Sequence, residues 1–459
     1  DIFVFQLSSL GLYILFALFI HTLLPNRYVA YLIIILVILF LPLGLGRLEI
    51  SNRLFYFNSS GPSLPYSDMN GYGHRLLFWI PFKSYWMAFC GILTTAAALL
   101  WVRGKDTGFK NRLRAAKTNF SKSYALSFGI TTALFIAIGS YIYYNTSVLN
   151  TIRSGEDLQV LQANFEKKYK FLENTPQAKI TAVKVDVAIF PKTRSMQASG
   201  RFTIANKGTK AIDSLVIMLD DNVKASTLKL HCTSTEVLFD KLYNLYILKL
   251  GKALLPGETG FLDFAIQYEP KGFENGNPNT TIVGNGTFFN NSLLPDIGYK
   301  AAYELGDNKA RKKYKLAPKA RVANVNDTAA HNLNFLSQSA DFIEFEATVS
   351  TDASQIAIAP GKLIHSETKG DRAYFTYKSE VPIFNFYAFL SAEYTVKKDK
   401  WKNIAIEIYF HKGHEFNVDK MILAVKKSLE YNSSQFGPYP HSQVRILEFP
   451  RYASFAQSF

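Results

Sequence analysis

Four stretches of the chain, 2–24, 28–45, 84–102 and 124–144, stay apolar for longer than a helix in a soluble core requires. Each comes close to or passes the ~20 residues that cross the hydrocarbon of a bilayer. The first is too long for a signal-peptide core and lacks the small-residue cleavage pattern. Tyr85, Trp86, Trp101, Tyr141, Tyr143 and Tyr144 flank the ends of these runs as an interfacial aromatic belt would. The pattern predicts a bundle of four membrane-spanning helices over residues 1–144.

Beyond it the period changes twice. Leu158, Leu161, Phe165, Tyr169 and Leu172 recur at helical spacing with Lys and Glu between them, which predicts an amphipathic connecting helix within 145–177, ended near Pro176. From Ala178 the period becomes two: Val183, Val185, Val187 and Ile189 alternate with Lys184, Asp186 and Ala188. Further strands are expected around 202–204, 215–218, 246–250, 260–268, 342–349, 355–359 and 373–377, separated by turns such as Asn206-Lys207-Gly208 and Pro256-Gly257-Glu258. Many short strands with few helices predict a mainly antiparallel, sandwich-like domain over 178–402. The Gly- and Asn-rich stretch 272–291 reads as one long loop. Near Asn403 the texture turns mixed: a strand at 404–410, a helix at 418–435 with Met421, Ile422, Val425 and Leu429 as its apolar stripe, and a buried strand at 443–449. Residues 403–459 therefore read as the start of an α/β domain of catalytic type. The chain opens inside an apolar run and stops without a closing element, so it is expected to be part of a longer protein.

Charge sharpens this picture. The net charge of +15 suggests nucleic acid, but 12 of the 51 Lys/Arg lie in residues 1–144 against only 4 of the 36 Asp/Glu. The excess is thus concentrated beside the spans, where it sets topology. No basic stripe with stacking aromatics supports nucleic-acid binding. Arg103, Lys105, Lys110, Arg112, Arg114, Lys117 and Lys122 face a single acid, Asp106, between the third and fourth spans, which predicts a cytoplasmic loop. Everything after about residue 145 is then expected outside, in the periplasm of a bacterial inner-membrane protein. The two cysteines, Cys90 and Cys232, supply no disulfide framework.

No complete active site is legible. His411 and His414 form H-x-x-H followed by Glu415, whereas a zinc helix needs histidines four apart with a glutamate between them. They read as loop histidines, and no metal ligand is expected in this segment. Glu344 and Glu346 share one strand face and are expected to meet solvent.

The ordered motifs from 178 to 459 resemble the membrane alanyl aminopeptidase family of zinc metallopeptidases. The resemblance is carried by Gly200-Arg201-Phe202-Thr203-Ile204, residues 215–219, and Leu255-Pro256-Gly257-Glu258 leading into 262–268. Residues 386–393 followed by Tyr394-Thr395-Val396 continue it. Its most specific part is Leu429-Glu430-Tyr431, then Phe436-Gly437-Pro438-Tyr439-Pro440, then 444–450, which resembles the opening of that family's catalytic domain. The resemblance implies zinc in the full-length protein, a peptide substrate and hydrolysis at its amino terminus. It also places Ala456, Gln457 and Ser458 where the family carries a substrate-binding Gly-x-Met-Glu-Asn, with Ser458 in place of the glutamate that holds the free amine. A glutamine that the family's β domain contributes has no counterpart near Gly286-Thr287-Phe288. Tyr66-Ser67-Asp68-Met69-Asn70-Gly71-Tyr72 and the helices around it resemble a permease region of ABC type, which implies a nucleotide-hydrolysing partner subunit. The alternative reading is accordingly a transporter permease subunit whose outer domain binds peptides or proteins without cleaving them.

Overall fold

Long runs of Leu, Ile and Phe give water nothing to solvate, and a helix satisfies their backbone internally. In the computed structural model of the protein they form α1 (Leu7–Leu23), α2 (Arg27–Arg47) and α3 (Arg75–Leu100), followed by α4 (Phe109–Asn119) and α5 (Lys122–Tyr143). The structure describes residues 2–63, 65–101, 108–231, 234–276, 278–319, 324–328, 336–337 and 339–453. Four helical segments, Phe3–Leu23, Arg27–Arg47, Arg75–Leu100 and Lys122–Val148, are long and apolar enough to cross a membrane. Cys232, Arg103, Lys105 and Asp106 lie outside the described residues.

The third span begins nine residues before the start expected from the sequence at 84, because Pro81 and Lys83 interrupt the apolar run without ending the helix. Lys83 is buried, and its ammonium donates to Ser9 Oγ (2.9 Å), Asn58 O (2.8 Å) and Asn58 Oδ1 (2.7 Å). Each of its three donors thus has an acceptor, the condition for keeping a cation in an apolar bundle.

The chain divides into a helical unit (1–65, 74–158 and 271–279) and a β-rich unit (66–73, 159–270 and 280–459). Within the helical unit, Phe273 is buried beside the rings of Phe78, Phe82 and Tyr141. Helix α6 (Gly155–Tyr169) starts at a reciprocal cap: Asp157 N–H donates to Ser154 Oγ (3.1 Å) and Ser154 N–H to Asp157 Oδ2 (2.9 Å). Farther along it, Phe165 stacks on Tyr299, and Glu166 takes a two-pronged ion pair from Arg311 (2.6 and 2.7 Å) with both side chains buried. Arg311 follows the short helix start of α7 (Asn308–Lys313).

The β-rich unit is built on β1 (Lys179–Phe190), β2 (Ser195–Ala205), β3 (Ile212–Met218), β4 (Val223–Leu230), β5 (Ser234–Asp240), β6 (Leu245–Leu254) and β7 (Thr259–Tyr268). After these come β8 (Thr287–Asn290), β9 (Asp296–Ile297), β10 (Phe342–Asp352), β11 (Ile356–Ile358), β12 (Lys362–Lys369) and β13 (Arg372–Lys378). The chain continues through β14 (Ile383–Phe384), β15 (Ala388–Ala392), β16 (Tyr394–Trp401) and β17 (Ile404–His411) to helix α8 (Val418–Phe436) and β18 (Gln443–Leu447). The largest sheet runs β12-β13-β10-β1-β2-β7-β4, with β14 paired to β10; the second runs β5-β6-β3-β9. Pairing is mostly antiparallel, except that β1 lies parallel to β10 and β17 parallel to β18. Val183, Val185, Val187 and Ile189 of β1 share one buried core with Leu215 and Ile217 of β3 and Phe389 of β15, so the sheets stack as layers.

Two kinds of difference from the sequence reading have separate causes. Strands β4, β5, β9, β12 and β16, which the sequence reading did not include, lie at sheet edges, whereas β15, equally unforeseen, is central between β11 and β8. An edge strand need not present a continuous apolar face, and β12 alternates nothing: all but one of its residues are exposed. Second, the expected loop 272–291 ends in strand β8, whose Thr287 and Phe289 are buried against β15. Its Asn- and Gly-rich surroundings hid a four-residue strand.

Candidate functional site

Strand β18 continues into Glu448-Phe449-Pro450, and the loop before β8 comes to meet it. That loop is closed by Thr287, whose Oγ1 donates to Val283 O (3.0 Å) and accepts from Val283 N–H (3.1 Å). Gln355, buried just before β11, donates from Nε2 to Gly284 O (2.7 Å). Its Oε1 accepts from Ser391 Oγ of β15 (2.6 Å), and Ser391 in turn meets Thr351 (2.6 Å). This buried chain is satisfied along its length, which makes the loop rigid rather than costly.

Gly286 sits at φ +89°, and a Cβ there would lie 2.6 Å from Pro450 Cγ and 3.4 Å from Met69 Cε. Only glycine allows this approach. Next to it Phe288 stacks on Phe449, ring centroids 5.2 Å apart. Arg445 anchors β18 through Glu407 (3.3 Å) and Ala359 O (3.3 Å) and covers the ring of Tyr377.

The two histidines singled out in the sequence lie beside this strand end. Glu448 accepts from the backbone N–H of His411 (2.8 Å) and pairs with His414 Nδ1 (2.6 Å). The Glu448 hydrogen bond holds the His414 pKa above its ordinary value against the opposing effect of burial, with Glu448 and Asp68 charges adding. His414 Nε2 faces Asp68 at 3.4 Å. Among the described residues no group of three His, Cys, Asp or Glu could hold a metal ion. His414 is committed to carboxylates on both nitrogens, so the described residues do not fit zinc. Glu346 pairs with Lys184 (2.9 Å) and Lys378 (3.8 Å) on an outer sheet face, as expected of a solvent-facing carboxylate.

The segment 66–73, grouped with the membrane region by its sequence, belongs to the β-rich unit. Ser67 and Gly71 pair as an isolated bridge and turn Met69 inward, where it is 5 % exposed. Asn285 binds this turn twice: Nδ2 donates to Met69 O (2.6 Å) and the backbone N–H to Asn70 Oδ1 (3.2 Å). The Asn285 carboxamide oxygen accepts from Glu393 N–H (2.8 Å), which fixes its orientation. Tyr452 brings a buried hydroxyl next to Asn70, and burial pushes its pKa up to about 12.

Ala456, Gln457 and Ser458, placed in the substrate site by resemblance, lie outside the described residues. Asn285, Gln355, Glu448 and Met69 were not foreseen. Gly284-Asn285-Gly286 signals a loop in the sequence, but nothing local marks what the loop grips.

No family model and no curated protein matches the chain. Among solved structures it is similar to an M1 zinc metallopeptidase from Deinococcus radiodurans, with TM-score 0.40 and 13 % identity over 59 % of this chain and 56 % of that one. A point mutant from the same organism gives 0.40 and 12 %, and a two-domain mutant bound to L-arginine gives 0.40 and 13 %. The chain spans just over half the length of these structures.

Proposed function

We propose that the protein is an integral membrane protein whose β-rich unit is an aminopeptidase-like peptide-binding domain held outside the cytoplasm. The membrane region would cover 1–144, the connecting helix 145–177, the β domain 178–402 and the opening of a catalytic-type domain 403–459. The cationic residues between the third and fourth spans support this orientation.

The observation that carries the peptide reading is Asn285. Held by Glu393, it donates its carboxamide N–H to the main-chain carbonyl of Met69 and its backbone N–H to the Asn70 side-chain oxygen. Peptides offer such carbonyls at every residue. Gly286 keeps the wall free of a side chain, while Phe288, Phe449 and Pro450 supply apolar surface beside it. The described residues thus bind and orient; the chemistry of cleavage would belong to the full-length protein with its zinc.

Ser458 stands where the resemblance calls for a carboxylate. A hydroxyl makes a neutral bond to an ammonium, about half as strong as a charge-assisted one. Preference for a free amino terminus should therefore be weak. The test is photo-crosslinking on the full chain in nanodiscs, with a diazirine-bearing tetrapeptide in free-amine and acetyl-capped forms at millimolar concentration. Both forms should give adducts within 283–288 and 449–453. Adducts confined to other residues, or none, would overturn the peptide reading.

A further inference from the structure

The turn 66–73 fills the place that the peptide reading assigns to substrate. We infer that it is a tethered, releasable occupant of the peptide site, so that the loop between the second and third spans controls access to the outer domain. The inference rests on the reading of this site as a peptide site.

Three observations support a removable occupant rather than a permanent wall. First, the turn uses the groups a peptide would use. Met69 presents its main-chain carbonyl to Asn285 Nδ2 and its side chain to the surface formed by Gly286 and Pro450. Second, its polar contacts with the unit include ones that a free peptide could replace. Two hydrogen bonds from Asn285 hold it, with the Tyr452 hydroxyl beside Asn70, and its ion pair to His414 comes from an Asp68 side chain that is 61 % exposed. Exposed pairs of this kind add little. Third, residues on both sides of the turn, 1–65 and 74–158, belong to the helical unit, so only eight residues are committed to the β-rich unit. The turn is preformed by its own bonds: Ser67 N–H to Gly71 O (3.1 Å), Asn70 N–H to Ser67 O (3.2 Å) and Gly73 N–H to Asn70 O (2.8 Å). It can leave the site without unfolding.

A short tether gives such an occupant an effective concentration on the order of millimolar, so weak contacts suffice to exclude a dilute free peptide. Release would break the Asn285 bonds, the Met69 contact and the Asp68–His414 pair. The site would then bind peptides when the turn leaves it and be closed when the turn stays.

The test uses the full chain in nanodiscs and the same diazirine tetrapeptide at a concentration well below saturation. In the released form, Met69→Ser with Asn70→Ala removes the inserted side chain and the Asn70 acceptor while leaving Asn285 intact. The locked form carries Asp68→Cys and His414→Cys, joined by a short bis-maleimide that adds to both thiols, in a Cys90→Ala, Cys232→Ser background. Adduct yield at 283–288 should rise about tenfold in the released form, the change that 1.4 kcal/mol produces, and fall below wild type in the locked form. Asn70→Ala alone should move it in the same direction by less, which guards against misfolding of the double variant. Equal yields in released, wild-type and locked forms, with adducts still at 283–288, would overturn the occupant and leave the peptide site standing. Absence of adducts there in every form would overturn the peptide reading and the occupant with it.

Discussion

Replacing Gly286 by alanine separates two costs that the structure combines at one atom. At φ +89° an L side chain meets the following carbonyl, a strain of about 1–2 kcal/mol. The new Cβ would also stand 2.6 and 2.7 Å from the ring carbons of Pro450, and overpacking of this kind costs about 1–3 kcal/mol. Gly286→Ala should therefore destabilise the loop by about 2–5 kcal/mol. Two other glycines of the unit are controls. Gly257 has φ +84° with nothing within 4 Å of its Cβ position, so Gly257→Ala carries strain alone. Gly284 has a Cβ position 3.4 Å from Asn70 Oδ1 and no positive φ, so Gly284→Ala should change stability by under about 0.5 kcal/mol. Hydrogen exchange read by mass spectrometry over 283–290 and over 255–260 reports each local opening. The Gly286 variant should exceed the Gly257 variant by about 1–3 kcal/mol, or about 5- to 150-fold in the opening equilibrium. Adding Pro450→Ala should recover most of that excess by removing the ring. A Gly286 variant no worse than the Gly257 variant would mean that Pro450 does not cover the loop, and the site built here would be wrong.

Three further expectations follow from named contacts. Glu166→Ala leaves the Arg311 guanidinium buried without its anion and should cost about 3–5 kcal/mol in local exchange over α6, with more than half recovered in Glu166→Met, Arg311→Met; an unchanged single variant would show that the pair is not buried. His414 has a raised pKa in the folded state, so its charge adds stability in full below about pH 6.5, and that contribution is lost as pH rises through the raised value. Facing Glu448 and Asp68, with the His411 ring nearby, it should make wild type exceed His414→Gln in melting temperature at pH 6 by more than at pH 9, on a scale under about 1 kcal/mol; an equal gap at both pH values would refute this. A cysteine at Asn119 should resist membrane-impermeant thiol reagents in whole cells while one at Asn222 reacts, and reversed labelling would refute the orientation.

What the sequence determined by itself is whatever depends on neighbours along the chain. Continuous apolar runs announced the four long helices, because a span must satisfy its backbone within itself. Alternation in Val183, Val185, Val187 and Ile189 announced β1, because a strand with one buried face repeats every two residues. Phe436-Gly437-Pro438 announced the end of α8. The order helix, turn, strand at 418–447 was legible for the same reason.

What only the tertiary structure decided is how distant segments meet. The parallel pairing of β1 with β10, and the placing of β4, β5 and β12 at sheet edges, leave no local signature, because an edge strand needs no apolar face to form its hydrogen bonds. The start of the third span depended on Ser9 and Asn58 meeting Lys83, which hydropathy counts only as a charge. The candidate site was the least legible part. Asn285 meets the Met69 turn across 216 positions of sequence, and Gln355 supports the same loop from 71 positions away on the other side. The sequence grouped residues 66–72 with the membrane region and residues 284–286 with one long loop. Their meeting depends on the closure of the sheets that carry Glu393, Pro450 and Gln355 to one place, and period along the chain records face and burial but not which face of another segment will be opposite.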